Sequence, residues 1–339
     1  MNARPRRRGA RTPLTHGVLI CSYKRPNDLL SCLAALARQG RRPDDVTVVV
    51  RESDAATLQA LRTRPEDSLP LRVMTVTAPG KVFAQNAALD ACRTDILTIA
   101  DDDTTAPPDW LERIFDHFAA DPALGGLGGR DRVHSGRTIE DGQRPVVGRL
   151  QWFGRTVGNH HLGFGGPREA DFLKGANMSY RAEAFAEVRF DRRLRGQGAQ
   201  AHDDLAFSLA VRRAGWTLVY DPAVLVEHYA TPRDEPRHYV GGSQLTDQSC
   251  YFDNAYNHAV ALWDTLSPTR RAAYAAWVLL VGMRVLPGLA QAVRLSPGEG
   301  LAAWRKFLIC QRAHLAAYAS LLRGPAQPMD PAKRARVAL

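Results

Sequence analysis

The chain has 339 residues, 45% hydrophobic and 24% charged, enough for two units of ~150 residues and ordinary for a globular protein. Disorder, a collagen-like rod and a disulfide-stapled miniprotein are excluded on those numbers. The formal charge of +10 gathers at the ends: residues 1–15 hold five Arg and no acid, and 266–339 hold eleven Lys/Arg against Glu299 and Asp330.

A slightly acidic body between basic ends suits an anionic membrane surface better than a nucleic-acid groove. The Arg-rich arm also lacks interleaved aromatics, so no nucleic-acid partner is expected. Five scattered cysteines without a CxxC pair point to a reducing compartment. The basic N-terminus is followed by no apolar stretch of the signal-peptide kind. A cytoplasmic location, peripheral at the inner face of the cell membrane, is the expectation.

In chain order, 18–21 reads as a buried strand, and Leu29, Leu30, Leu33 and Leu36 recur at helical spacing before Gly40. A second strand spans 46–50, and Asp54 is placed to cap a helix holding Leu58 and Leu61. The third strand is 71–76; Gly80 opens a helix, and 96–100 is the fourth strand. Such alternation predicts an α/β, Rossmann-like, mostly parallel sheet with helices on both faces. The stretch 134–170 is Gly-rich and aromatic and reads as loops shaping a pocket. Helix returns at 203–214, followed by short strands at 217–220 and 224–227. Near the C-terminus an uncharged dozen, 272–283, is broken by Arg284 and Pro287, too short for the ~20 residues of a membrane span. Leu301, Trp304, Leu308, Leu315 and Leu322 form an apolar stripe with Arg305 and Arg312 at its margin. That pattern suits either a helix lying in a membrane interface or one packed on the body.

Asp101-Asp102-Asp103 follows the fourth strand, at the edge where open α/β sheets bind ligands. Adjacent carboxylates repel unless a cation compensates. Oxygen donors suit Mg²⁺ or Mn²⁺, and Mg²⁺ commonly bridges one or two carboxylates to a diphosphate. A solvated acidic turn, or Asp102 capping the next helix, is the plainer reading of the same residues.

Five motifs in order turn this into a resemblance. They are Val18-Leu-Ile-Cys-Ser-Tyr-Lys-Arg-Pro26, Pro79-Gly-Lys-Val-Phe-Ala-Gln-Asn86, Ile99-Ala-Asp-Asp-Asp103 with Pro108-Asp-Trp110, Gly175-Ala-Asn-Met-Ser-Tyr-Arg181, and Asp203-Asp-Leu leading to Gly215-Trp216. Over about 16–230 the chain resembles family 2 glycosyltransferases of the GT-A fold, of the bacterial cell-envelope or exopolysaccharide type. The resemblance implies transfer of a sugar, with inversion, from a nucleotide-diphosphate sugar to a hydroxyl of a glycan or lipid-linked acceptor. A uridine diphosphate sugar is the first expectation for the donor.

Carried over by position, Asp103, Asp101 and His228 are the expected metal ligands. Asp204 is the expected general base, with Asp203 beside it. Ser22, Tyr23, Arg25, Lys81, Asn86, Asp101 and Asp102 are expected at the nucleotide. The acid that the family usually carries after its second strand is replaced by Arg51-Glu-Ser-Asp54, so Arg51 or Asp54 would take over its contact with the base. Trp152, His160 and His161, with Gly175 and Asn177, are expected at the acceptor, though aromatic residues there serve equally to close the core. The implied layout is a disordered basic arm at 1–15, a nucleotide-sugar half at 16–133 and an acceptor and catalytic half at 134–240. A helical, membrane-associated extension at 241–325 and a flexible tail at 326–339 complete it. The reading from another class is a catalytically inactive GT-A-like scaffold at the membrane surface; the presence of Asp103, Asn177 and Asp204 counts against it.

Overall fold

The structure is a computed structural model describing residues 14–65, 69–229, 248–323 and 336–337. The arm expected at 1–15 therefore lies outside the described residues up to 13, and most of the expected tail does too. The first elements are β1 (His16–Ser22), α1 (Pro26–Ala37), β2 (Asp45–Arg51), α2 (Ala55–Thr63), β3 (Leu71–Val76), α3 (Lys81–Ala91) and β4 (Ile96–Asp101). They match the alternation expected from the β-branched runs. Asp54 caps α2 by accepting the Thr57 N–H at 3.1 Å.

The second half supplies β5 (Thr104–Thr105), α4 (Trp110–Ala120), β6 (Leu124–Ser135), β7 (Thr138–Ile139), β8 (Arg149–Leu150), β9 (Thr156–Val157), β10 (Arg168–Glu169) and β11 (Asn177–Arg181). It closes with α5 (Asp203–Arg213) and β12 (Thr217–Tyr229). The two short strands expected at 217–227 are thus one strand, irregular between Asp221 and Leu225 where its register against β6 shifts. The helical extension is α6 (Gln248–Trp263), α7 (Pro268–Leu280), α8 (Leu289–Glu299) and α9 (Leu301–Leu322). Last, β13 (Arg336–Val337), inside the expected tail, pairs with the edge of β3.

The main sheet runs β10-β12-β6-β11-β4-β1-β2-β3-β13. β1 pairs in parallel with β2 and β4, β2 with β3, and β6 with β12, while β11 runs antiparallel between β4 and β6. β6 opens Leu-Gly-Gly-Leu-Gly-Gly, a composition depleted in strands. Close approach explains it: a Cβ on Gly125 would stand 2.3 Å from Trp216 Cβ, and one on Gly129 would stand 1.9 Å from the Val224 carbonyl oxygen.

The sheet buries apolar residues on both faces. Val18, Ile20, Val46 and Val48 meet α1 and α4, where Trp110 and Phe118 are fully buried. On the other face Leu19, Val49 and Ile99 join α3, α5 and the C-terminal helices, which contribute Ala259, Tyr274 and Ala313 to the same core. Among the described residues no helix is long and apolar enough to cross a membrane.

Candidate active site

Two adjoining cavities open where β1 to β4 end. The smaller, about 130 Å³, is lined by Ser22, Tyr23, Arg25, Arg51, Lys81 and Asp101 among others. The larger, about 480 Å³, holds Asp101, Asp103, Asp203, Asp204 and His228, with His160 and His161 on its wall. Lys81 and Asp101 belong to both and stand at their junction.

The turn after β1 is fixed from below. Lys24 takes a left-handed conformation (φ 55°), and its N–H donates to Asp54 Oδ2 at 2.5 Å. The buried Asp54 thereby ties the turn to α2 and lines neither cavity, so of the two substitutes considered for the base contact it is Arg51 that faces the smaller one. There the Arg51 guanidinium lies 3.9 Å from the Tyr23 ring centre and donates to the Gln197 carbonyl at 3.1 Å.

The acidic triplet divides its work. Asp102 is fully buried, accepts from Ser22 Oγ at 2.8 Å and pairs with Arg25, holding the β1 turn to the end of β4. Arg25 also reaches Asp103 Oδ2 at 2.5 Å. Asp101 receives Lys81 at 3.0 Å. β5 then pairs antiparallel with β12 in a register that sets His228 against Thr104, and the Tyr229 N–H donates to the Asp103 carbonyl at 2.9 Å. That pairing carries His228 to the triplet, its Nε2 3.3 Å from Asp103 Oδ1.

On the far side of the ring, His228 Nδ1 lies 3.3 Å from Asp131 Oδ2, and the same buried carboxylate pairs with Lys174. Burial opposes the charge on His228, yet its bonds to Asp103 and Asp131 push the imidazole up to about 9. Asp103 is correspondingly held down at about 2 despite its burial, by His228 and Arg25. Asp101, Asp103 and His228 each offer one ligand atom, all within 4.8 Å of one another. Two carboxylates and an imidazole fit a divalent cation of the Mn²⁺ type, the oxygens alone also suiting Mg²⁺.

Asp203 and Asp204 begin α5 behind His202, which takes the left-handed conformation (φ 67°) without a side-chain cap. Asp204 Oδ2 accepts the Gly175 N–H at 3.0 Å and Oδ1 the Leu205 N–H at 2.7 Å. Burial pushes the Asp204 carboxyl above the usual range, the Gly175 N–H working against it. Asp203 is pushed up to about 6 by burial and by Asp204, against the attraction of Lys81, 3.8 Å away. Lys81 therefore links the triplet to the pair. It is itself placed by Gly80 (φ 106°) and by the 198–200 segment, since its own N–H donates to the Gly198 carbonyl and that of Val82 to Gln200 Oε1.

Several residues expected at ligands spend their polar groups on the fold. Asn86 exchanges bonds with the Phe190 backbone. Asn177 donates to the carbonyls of Arg130 and Val224 and accepts from Trp110 Nε1. Both are buried and line neither cavity. Trp152 is 63% exposed and away from both. His160 is buried, its Nε2 3.1 Å from the Phe172 carbonyl, while His161 faces Glu140 at 3.5 Å. Sequence reasoning missed Asp131 and Lys174, and also the 283–286 segment that walls the larger cavity. Lys174 immediately precedes the Gly175 motif, the one signal that pointed to it.

The model of the family described as Glycosyltransferase like family 2 matches residues 13–241. Among solved structures, the mannosyltransferase PcManGT from Pyrobaculum calidifontis, in complex with GDP-Man and Mn²⁺, is 18% identical with a TM-score of 0.54, over 92% of this chain and 88% of that one. GalNAc-T7, solved with UDP, GalNAc and Mn²⁺, is 13% identical with a TM-score of 0.57, over 74% of this chain and 48% of that one. The matched part thus spans about half of GalNAc-T7. At these identities the likeness is one of fold, the GT-A arrangement. A comparison with curated protein sequences gives no match.

Proposed function

The chain belongs to the glycosyltransferase-like family 2, and from that premise we propose a metal-dependent, inverting transfer of a sugar from a nucleotide-diphosphate sugar to a hydroxyl of a glycan or lipid-linked acceptor. The bacterial envelope or exopolysaccharide is the setting we propose, at the inner face of the cell membrane. The observation that carries the reading is the single cavity holding both the Asp101–Asp103–His228 cluster and the buried Asp203–Asp204 pair. The likeness to folds solved with GDP-Man or with UDP, each with Mn²⁺, supports a donor of that chemical class.

The smaller cavity takes the nucleotide, with Tyr23 and Arg51 at the base and Arg25 and Lys81 toward the diphosphate. Asp101, Asp103 and His228 would hold Mn²⁺ or Mg²⁺, and the imidazole favours Mn²⁺. A bound cation there supplies electrostatic stabilisation to the departing diphosphate. In the larger cavity, lined by His160 and His161, the acceptor hydroxyl oxygen attacks the anomeric carbon opposite the diphosphate. The bond from that carbon to the phosphate oxygen breaks, its electron pair leaves with the nucleoside diphosphate, and the hydroxyl proton passes to Asp204. The Gly175 and Leu205 N–H groups fix both oxygens of that carboxylate while burial raises its basicity.

The test is release of nucleoside diphosphate from uridine, guanosine and deoxythymidine diphosphate sugars, with Mn²⁺ and with EDTA. Metal-dependent release from one class is expected. Folded protein that turns over none of them, with or without glycan and polyprenyl acceptors, would favour the inactive scaffold.

A further inference from the structure

Helix α9 packs on the body through small residues, with Ala303, Cys310, Ala313 and Ala317 all fully buried. The stripe of larger apolar residues faces outward instead. Leu301, Leu315 and Leu322 are 75%, 68% and 76% exposed, and Leu308 and Trp304 are exposed beside them. Arginines adjoin the stripe: Arg305 and Arg312 are exposed and lie about 40–60° further round the helix from the neighbouring leucines, and Arg323 is exposed just past its end.

A second group of exposed apolar residues lies at the α7–α8 turn. Leu279, Leu280 and Val281 end α7 and are exposed, as are Leu289 and Val293 on α8. The turn draws them together, Gly282 bridging to Pro287 and the Gly288 N–H donating to the Val281 carbonyl at 3.2 Å. Met283, Arg284, Val285 and Leu286 of the same turn wall the cavity that holds Asp204. One short segment therefore has an exposed apolar rim on its flanks and the catalytic carboxylates on its inner side.

Between 268 and 323 there are eight Lys/Arg and one acid, and that acid, Glu299, is bound by Lys306 at 2.6 Å. A second copy of the chain docking on this face would set arginine rows against each other with no carboxylate to separate them. Phosphate headgroups match the arginines, and an acyl boundary matches the leucines.

We infer that the outer face of α9, together with the α7–α8 turn, seats the protein on an anionic lipid bilayer and sets the acceptor cavity beside it, so that the acceptor is a lipid-anchored hydroxyl. The second clause rests on the sugar-transfer reading; the first stands on the surface alone.

The experiment is co-sedimentation of the full-length chain with phosphatidylcholine vesicles, with and without phosphatidylglycerol, at low and high salt. Each protein is also titrated with nucleoside diphosphate and Mn²⁺. Binding to the anionic vesicles, weakened by salt, is expected. Leu308→Glu with Leu315→Glu should abolish it while nucleotide binding persists. Arg305→Ala and Arg312→Ala, milder changes on an exposed row, should each lower partitioning about fivefold. No binding, or equal binding to neutral vesicles, overturns the inference. So does binding that survives the α9 changes, which would assign it to the arginines of 1–15, or a concentration-dependent dimer that the same changes abolish. The nucleotide titration separates the two readings, since a chain that docks on vesicles and binds no nucleotide contradicts sugar transfer and not the docking surface.

Discussion

Asp204 receives one N–H bond at each carboxylate oxygen, so its position is set by backbone and only its protonation is free to vary. Asp204→Asn keeps the size and removes the base; we expect turnover to fall by about 10²–10⁴-fold, with metal-dependent nucleotide binding unchanged in calorimetry. A base must be ionised, and burial raises both carboxyls of the pair, Asp203 to about 6. The rate should therefore climb with pH through a limb above the ordinary carboxylate range and level off beyond it. Asp203→Asn removes a carboxylate next to Asp204, and because like charges repel the pH–rate limb should move to lower pH; an unmoved limb would exclude the pair as its origin. Asp101 and Asp103 stood out in the sequence because adjacent carboxylates at a strand end repel unless a cation compensates, whereas Asp102 pairs with Arg25 instead. Asp131 could not: it meets His228 only because β6 and β12 pair, a contact between residues almost a hundred positions apart.

At the scale of elements, strands β1 to β4 were readable because each is rich in Val, Ile and Leu and short enough to be a strand. β6 was not, because its glycines answer to tertiary crowding. Gly129→Ala would press a methyl against the Val224 carbonyl and the Asn177 amide; we expect a loss of about 3 kcal/mol or more in chemical unfolding. Asn177 resembles an acceptor-binding residue in sequence, yet its side chain joins two carbonyls to the Trp110 indole. Asn177→Ala should accordingly cost about 1–3 kcal/mol of stability through unsatisfied buried groups. The stripe on α9 could be found by periodicity, but which face the fold would cover could not. The packing uses alanines that the hydrophobic pattern underweights.

For the whole molecule, the body is held by imidazoles buried in the neutral form. Burial lowers His16 to about 3 and His160 and His314 to about 4. Each native value lies below the ordinary imidazole value of about 6.5, so the unfolded chain takes up protons first as pH falls. Their contribution to stability is complete above about 6.5 and is lost progressively toward pH 4. The raised Asp203–Asp204 pair and His228, raised to about 9, act in the opposite direction over part of that range, but the three lowered histidines shift the balance toward loss. The thermal midpoint should fall between pH 7 and pH 5; a flat midpoint would contradict neutral burial.

The central claim is that the edge of the sheet binds a nucleoside diphosphate through a divalent cation held by Asp101, Asp103 and His228. Calorimetric titration of the full chain with UDP, GDP and dTDP, each with Mn²⁺ and with EDTA, tests it most directly. The account predicts Mn²⁺-dependent binding of one nucleotide, lost in Asp103→Ala while the fold is retained. Folded protein that binds none of the three, or binds one equally well in EDTA and in Asp103→Ala, would contradict it.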